Sequence, residues 1–214
     1  MKLTRALDPA EIRILGSLLE KQQSTPDYYP MTVNSLVAAC NQKSNRDPLM
    51  ELGEEQVSNA LDRLQQQVLV WKVMGGRTVH WKHNLDGPWQ LSPPQKAVMT
   101  LLLLRGEQTA AELRSRSDRL HPLGSREEAE ELLKTMSSDP EPLVTELPRM
   151  PGRKETRWMH LAGGAPLPIT SGPEAAVPTL VRSLDFVSRI EQLESEVQSL
   201  RRDLAELKEK LGED

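Results

Sequence analysis

The sequence predicts a mainly helical fold with small β-hairpins (α+β), used twice in tandem and followed by a lone C-terminal helix. Three observations carry that prediction. Residues 7–21 read LDPAEIRILGSLLEK and residues 91–105 read LSPPQKAVMTLLLLR. Each is a leucine, a helix-capping residue, a proline and then Glu or Gln ahead of an apolar run at helical spacing. The likeness continues downstream, where Thr32 and Leu36 match Thr109 and Leu113, and Trp81-Lys82-His83 matches Trp158-Met159-His160. From Ile190 onward the pattern changes to apolar residues at alternating spacings of three and four.

In the first copy Asp8 is the expected cap, Pro9 sits in the first turn and Glu11 completes a capping box. Ile12, Leu15, Leu18 and Leu19 form one apolar stripe, and the helix is expected to end near Gln22. Thr32 caps a short second helix with Leu36, Val37 and Cys40 inward, closed by Asn41 in the left-handed region. A third helix is expected over residues 54–67, burying Val57, Ala60, Leu61 and Leu64. Then VLVWKVM and RTVHWKH flank Gly75-Gly76, a hairpin signal. A two-residue Gly75-Gly76 loop pairs Val70 with Trp81 and Lys72 with Val79. Three helices followed by a β-hairpin is the order of a winged helix, with the hairpin as wing and the third helix as the usual recognition element.

The second copy repeats the order. Ser92, Pro93 and Gln95 start its first helix, Thr109 and Glu112 its second, and Ser125 and Glu128 its third, with Ala129, Leu132, Leu133 and Met136 inward. Residues 143–147 and 156–161 are its wing strands, around the long tip PRMPGRKE. The expected division is two winged-helix domains at residues 1–90 and 91–162, each closing over its own small interior. A Gly-, Pro- and Ala-rich linker follows at 163–182, then a coiled-coil helix at 183–214.

In that last helix Ile190, Leu193, Val197, Leu200, Leu204, Leu207 and Leu211 make a heptad seam. The flanking pairs of a parallel dimer are Arg189 with Glu194, Glu196 with Arg201, and Asp203 with Lys208, all of opposite sign. A lone helix of this length is marginal in water, so the seam needs a partner. A parallel homodimer is expected; folding back on the chain's own domains is the alternative.

Net charge is −4 over 214 residues, but residues 1–90 hold ten basic and ten acidic side chains and residues 91–162 eleven of each. Both domains are neutral, whereas a dedicated nucleic-acid binder usually carries a basic excess, so any such surface is local. The single cysteine, Cys40, excludes an intrachain disulfide and reads as a small core residue. The N-terminus lacks the apolar stretch of a signal peptide, and Leu101–Leu104 is too short to span a bilayer. A cytoplasmic protein with no membrane contact is expected.

No chemistry-bearing constellation stands out, and no catalytic residue, metal ligand or cofactor is assigned. His80 and His83 lie three apart on a strand and point to opposite faces. His83 and His160 occupy matching positions beside Trp81 and Trp158, which favours a shared structural contact over ligation. Tyr28-Tyr29-Pro30 is expected to pack over the end of the first helix, and Asn41–Pro48 (NQKSNRDP) is a dense polar connection with room for binding.

Basic and amide side chains supply the candidate nucleic-acid contacts: Lys43 and Arg46 after the second helix, Asn59 and Arg63 on the third, Lys72 and Arg77 on the first wing, and Arg153 and Lys154 on the second. Arg and Lys on wings position a backbone, while Arg, Asn and Gln on a recognition helix can read base edges. Solubilising charge is the bland alternative, and Glu54, Glu55 and Asp62 repel phosphate.

LDPAEIRILGSLLEK, YYPMT, CNQKSNRDP, GRTVHWKH and LSPPQKAVMTLLLLRG together resemble the YceH-like family of bacterial proteins over residues 3–162 and the coil-forming end. The resemblance implies a tandem winged helix and supplies no activity or site residues. The leading expectation is a dimeric, regulatory binder of double-stranded DNA. The rival is an adaptor whose winged helices dock a protein partner.

Overall fold

The computed structural model describes residues 3–75, 78–149, 152 and 155–164. Among them α1 (Pro9–Ser24), α2 (Val33–Cys40) and α3 (Glu54–Gln66) precede the hairpin β1 (Val70–Gly75) and β2 (Thr78–His83). A short α4 (Asp86–Trp89) leads to α5 (Pro93–Arg105), α6 (Ala110–Arg116), α7 (Arg126–Ser138), β3 (Val144–Glu146) and β4 (Trp158–His160). The result is a mixed helical fold with two small antiparallel sheets, β1-β2 and β3-β4. No helix of the described residues is long and apolar enough to cross a membrane.

The helix starts follow the local code. The Asp8 carboxylate accepts from the Glu11 N–H, and Glu11 accepts from the Asp8 N–H, each at 2.9 Å. Thr32 accepts from the Ser35 N–H at 3.2 Å, Thr109 from Glu112 at 3.2 Å and Ser125 from Glu128 at 3.1 Å. The expected buried face of α3 is present, with Val57, Ala60, Leu61 and Leu64 all inside. Asn41 departs from expectation: its φ is −91°, and its side chain clamps Leu52, accepting from the N–H at 2.8 Å and donating to the C=O at 2.9 Å.

The hairpin register also differs. Val70 lies opposite His83, Lys72 opposite Trp81 and Gly75 opposite Thr78, so each β1 residue pairs two positions further along β2 than a Gly75-Gly76 loop requires. A two-residue slip keeps every side chain on its face.

Each copy contains one further feature. Met31 bridges Trp81, exchanging backbone bonds at 3.0 and 2.7 Å, and Gln108 bridges Trp158 in the same way at 3.0 and 2.8 Å. Both partners shift by 77 residues between copies (31 to 108, 81 to 158). The residue before the second helix thus pairs with the last strand in each half.

The two interiors are not separate, which corrects the expectation of one core per half. The buried apolar residues of both halves form one continuous cluster, from Leu7 through Leu61 to Leu133 and Trp158. α1 packs along α5 as well as α2 and α3. It is therefore buried all round from Arg13 to Leu19 instead of along one stripe. A Cβ added at Gly16 would lie 2.8 Å from Leu104 Cδ2 and 3.1 Å from Leu103 Cβ, so glycine is what lets these helices touch. Gln23 donates to the Thr100 hydroxyl at 2.9 Å, the Asp47 N–H to the Leu104 carbonyl at 2.9 Å, and the Leu7 N–H to the Ala162 carbonyl at 2.9 Å.

Candidate nucleic-acid interface

Arg46 must be removed from the candidate contacts. Its side chain is 0% exposed against Glu20. Nη2 donates to Glu20 Oε2 at 2.6 Å, the Ala39 carbonyl at 2.9 Å and Gln42 Oε1 at 3.1 Å. Nη1 donates to Glu20 Oε1 at 3.1 Å and the Asn45 carbonyl at 2.9 Å, and Nε to the Ala39 carbonyl at 3.1 Å. Every donor is used inside the protein. The NQKSNRDP connection is therefore a clasp: Asn41 holds Leu52, Asn45 accepts from Arg105 at 3.0 Å, and Asp47 reaches α5. Of its candidate cations, Lys43 is exposed.

On α3, Asn59 is exposed and Arg63 half-exposed. Arg63 donates to Asp8 Oδ2 at 2.6 Å and to Glu11 Oε1 at 3.3 Å. Glu11 is fully buried. Burial pushes its carboxyl up, but the Arg5 guanidinium, which donates to both of its oxygens, and the Asp8 N–H outweigh that and hold it below the usual range. Arg63 thus serves a buried carboxylate of α1. On the first hairpin, Lys72 Nζ is 3.3 Å from Asp62 and 4.8 Å from the Trp81 ring. Lys82 stacks on Trp71 at 5.1 Å.

Three arginines of the second copy are paired in the same way. Arg126 of α7 holds Glu130 at 2.9 Å and Glu155 at 2.6 Å. Arg116 donates to Gln108 at 2.7 Å, and Arg157 lies 3.2 Å from Glu112. Burial pushes the Glu112 carboxyl up, yet the Thr109 N–H with Arg157 and Arg116 holds it low. Arg77, Arg153 and Lys154 lie outside the described residues, as do the seam residues Ile190, Leu193, Val197, Leu200, Leu204, Leu207 and Leu211.

The matched histidines are buried contacts. His83 Nε2 lies 2.7 Å from Gln22 Oε1, its backbone N–H donates to the Tyr29 hydroxyl at 2.8 Å, and the two rings lie 5.9 Å apart. Burial lowers both imidazoles to about 4; at His83, Asp86 opposes the shift while Lys96 and Lys82 add to it. Tyr29 thus packs against His83 of β2, whereas Tyr28, expected over the end of the first helix, is exposed. Cys40 is a core residue, its thiol pushed up by burial. Among the described residues no group of three or more His, Cys, Asp or Glu could hold a metal ion.

Sequence reasoning missed Arg13, buried in α1 and donating to the carbonyls of Cys40 at 3.1 Å and Pro48 at 2.6 Å. Its one local signal is a charge set between Ile12 and Ile14. Also missed was the first hairpin's apolar surface, where Trp71 is 44% and Met74 70% exposed. A cleft of about 1010 Å³ lies between α5, the end of α7 and the connection around Trp89.

A family model described as "Protein of unknown function, DUF480" matches residues 7–153. A UPF0502 protein of Geotalea uraniireducens is 43% identical over 191 residues, covering 87% of each chain. The chain belongs to the UPF0502 (DUF480) family. A UPF0502 protein of Acidovorax sp. is 42% identical over 216 residues, 98% of this chain and 96% of the relative. The UPF0502 proteins matched are bacterial, in agreement with the bacterial family expected from the motifs.

Proposed function

We propose that this UPF0502 chain is a pair of winged helices, fused through α1 and α5, that docks a protein partner. The winged-helix reading is supported by the recurring order of three helices and a hairpin, and by the repeated bridge between the residue before the second helix and the last strand. The docking reading rests on one observation. At described positions where a DNA-binding winged helix would offer cations, Arg46 is buried and Arg63 is held by Asp8 and the buried Glu11 of the same chain. Phosphate would have to displace those carboxylates, and counterion release from neutralised cations contributes little affinity.

The test is titration of the full chain with duplex DNA across a salt series. The expected result is no affinity that falls with salt; a steep decline would overturn the docking reading. Exposed Lys43 and Asn59 favour the second reading, a regulatory DNA binder. For either, we propose a cytoplasmic chain that pairs in parallel through the 183–214 seam, supported by its heptads and opposite-sign flanks. Removal of residues 183–214 should halve the mass seen by light scattering, and an unchanged mass would refute the pairing.

A further inference from the structure

We propose that the outer edge of β1 accepts an extended peptide as an added strand, and that this peptide alternates apolar with acidic residues. The inference rests on the protein-docking reading and names the partner's chemistry. Trp81 spends both backbone groups on Met31, at 2.7 and 3.0 Å, so they point away from β1. Bond directions alternate along an antiparallel strand. The neighbours of Trp81, His80 and Lys82, therefore face β1, opposite Val73 and Trp71. The same alternation turns the backbone N–H and C=O of Lys72 and Met74 outward. Among the described residues no strand pairs with that edge.

An open edge is a template for another strand. The surface beside it is apolar and cationic. Trp71, 44% exposed under Lys82, and half-buried Val73 share the face away from Lys72, where a peptide with its acidic residues over Lys72 lays its apolar ones. Lys72 decides the occupant. A second copy pairing about Lys72 would set two ammonium groups side by side, which destabilises a strand pair. An acidic residue there meets attraction instead. Asp62, 3.3 Å from Lys72, is 58% exposed, so that pair is a weak surface contact a peptide carboxylate can share.

The test uses the full chain and capped, labelled peptides alternating Val or Ile with Glu, beside the same peptides with Lys for Glu. Anisotropy reads affinity, and amide exchange reads the Lys72 and Met74 N–H groups. Glu peptides should bind about tenfold more tightly than Lys peptides and protect both amides. Met74→Pro removes an outward donor that is not used in the hairpin and should weaken binding about tenfold. Lys72→Glu should reverse the charge preference, and it decides the matter if Met74→Pro fails to fold. Absence of Glu-peptide binding, unprotected amides or an unchanged preference in Lys72→Glu each overturns the proposal. So does self-association that Met74→Pro abolishes, which would assign the edge to a second copy. Duplex DNA that competes for the edge with salt-steep affinity overturns the docking reading as well. Failed peptide binding without duplex binding overturns this inference alone.

Discussion

Replacing Arg46 by methionine separates a structural clasp from a phosphate contact. The guanidinium makes six hydrogen bonds to Glu20, Ala39, Gln42 and Asn45, and its side chain is out of solvent. Methionine refills most of the volume but leaves the Ala39 carbonyl, Gln42 and a half-buried Glu20 without their donor. Removing one member of a buried ion pair costs about 3–5 kcal/mol. Lys21, 3.6 Å from Glu20, takes up part of the orphaned charge, which places the expected loss near 3 kcal/mol. For a folded unit of this size that lowers the melting temperature by roughly 10 °C. Urea unfolding of wild type and Arg46→Met, followed by tryptophan fluorescence, measures it. The double variant Glu20→Leu with Arg46→Met removes both charges and should regain much of the loss. A midpoint within about 0.5 kcal/mol of wild type in Arg46→Met would refute the clasp, because an exposed cation would behave that way.

The fused core predicts one unfolding transition, which Leu61→Ala in the first half and Leu133→Ala in the second should both shift by about 2–5 kcal/mol; two separable transitions would contradict it. Gly16→Ala should destabilise by about 1–3 kcal/mol in chemical denaturation despite alanine's better helix propensity, since its methyl meets Leu103 and Leu104. His83 and His160 should make the protein acid-sensitive. The unfolded imidazoles take up protons near pH 6.5 and the buried ones only near about 4, so in that window the unfolded chain holds more protons and stability falls as pH falls. Each histidine contributes about 3 kcal/mol that is complete above pH 6.5 and lost on approach to 4. A denaturation series from pH 7.5 to 4.5 should therefore be flatter for His160→Leu than for wild type, and equal slopes would refute the assignment.

The parts of the fold that were readable in advance are those in which neighbours in sequence are neighbours in space. The Asp8–Glu11 and Thr109–Glu112 caps and the buried face of α3 depend on residues three or four apart, so the linear pattern contains the interaction itself. The hairpin register failed for a definite reason. A slip of two leaves Val70, Lys72, Trp81 and His83 on one face, and alternation cannot distinguish the two pairings. Arg46 failed for another: a basic residue in a polar loop reads the same whether it faces water or Glu20, its ion-pair partner 26 positions away.

From residue order alone came the duplication, its helices and its hairpins, because short-range periodicity and capping are enforced within a few residues. Packing of α1 on α5 decided that the two copies share one interior and that Gly16 is a contact, and the fold of the connection onto Glu20 and Ala39 made Arg46 internal. Arg63 meeting Asp8 and Glu11, and Met31 pairing with Trp81, likewise determined which cations meet carboxylates and which strand edge stays open. Those outcomes arise between groups tens of residues apart, where burial and charge pairing are set by three-dimensional proximity that no local pattern encodes.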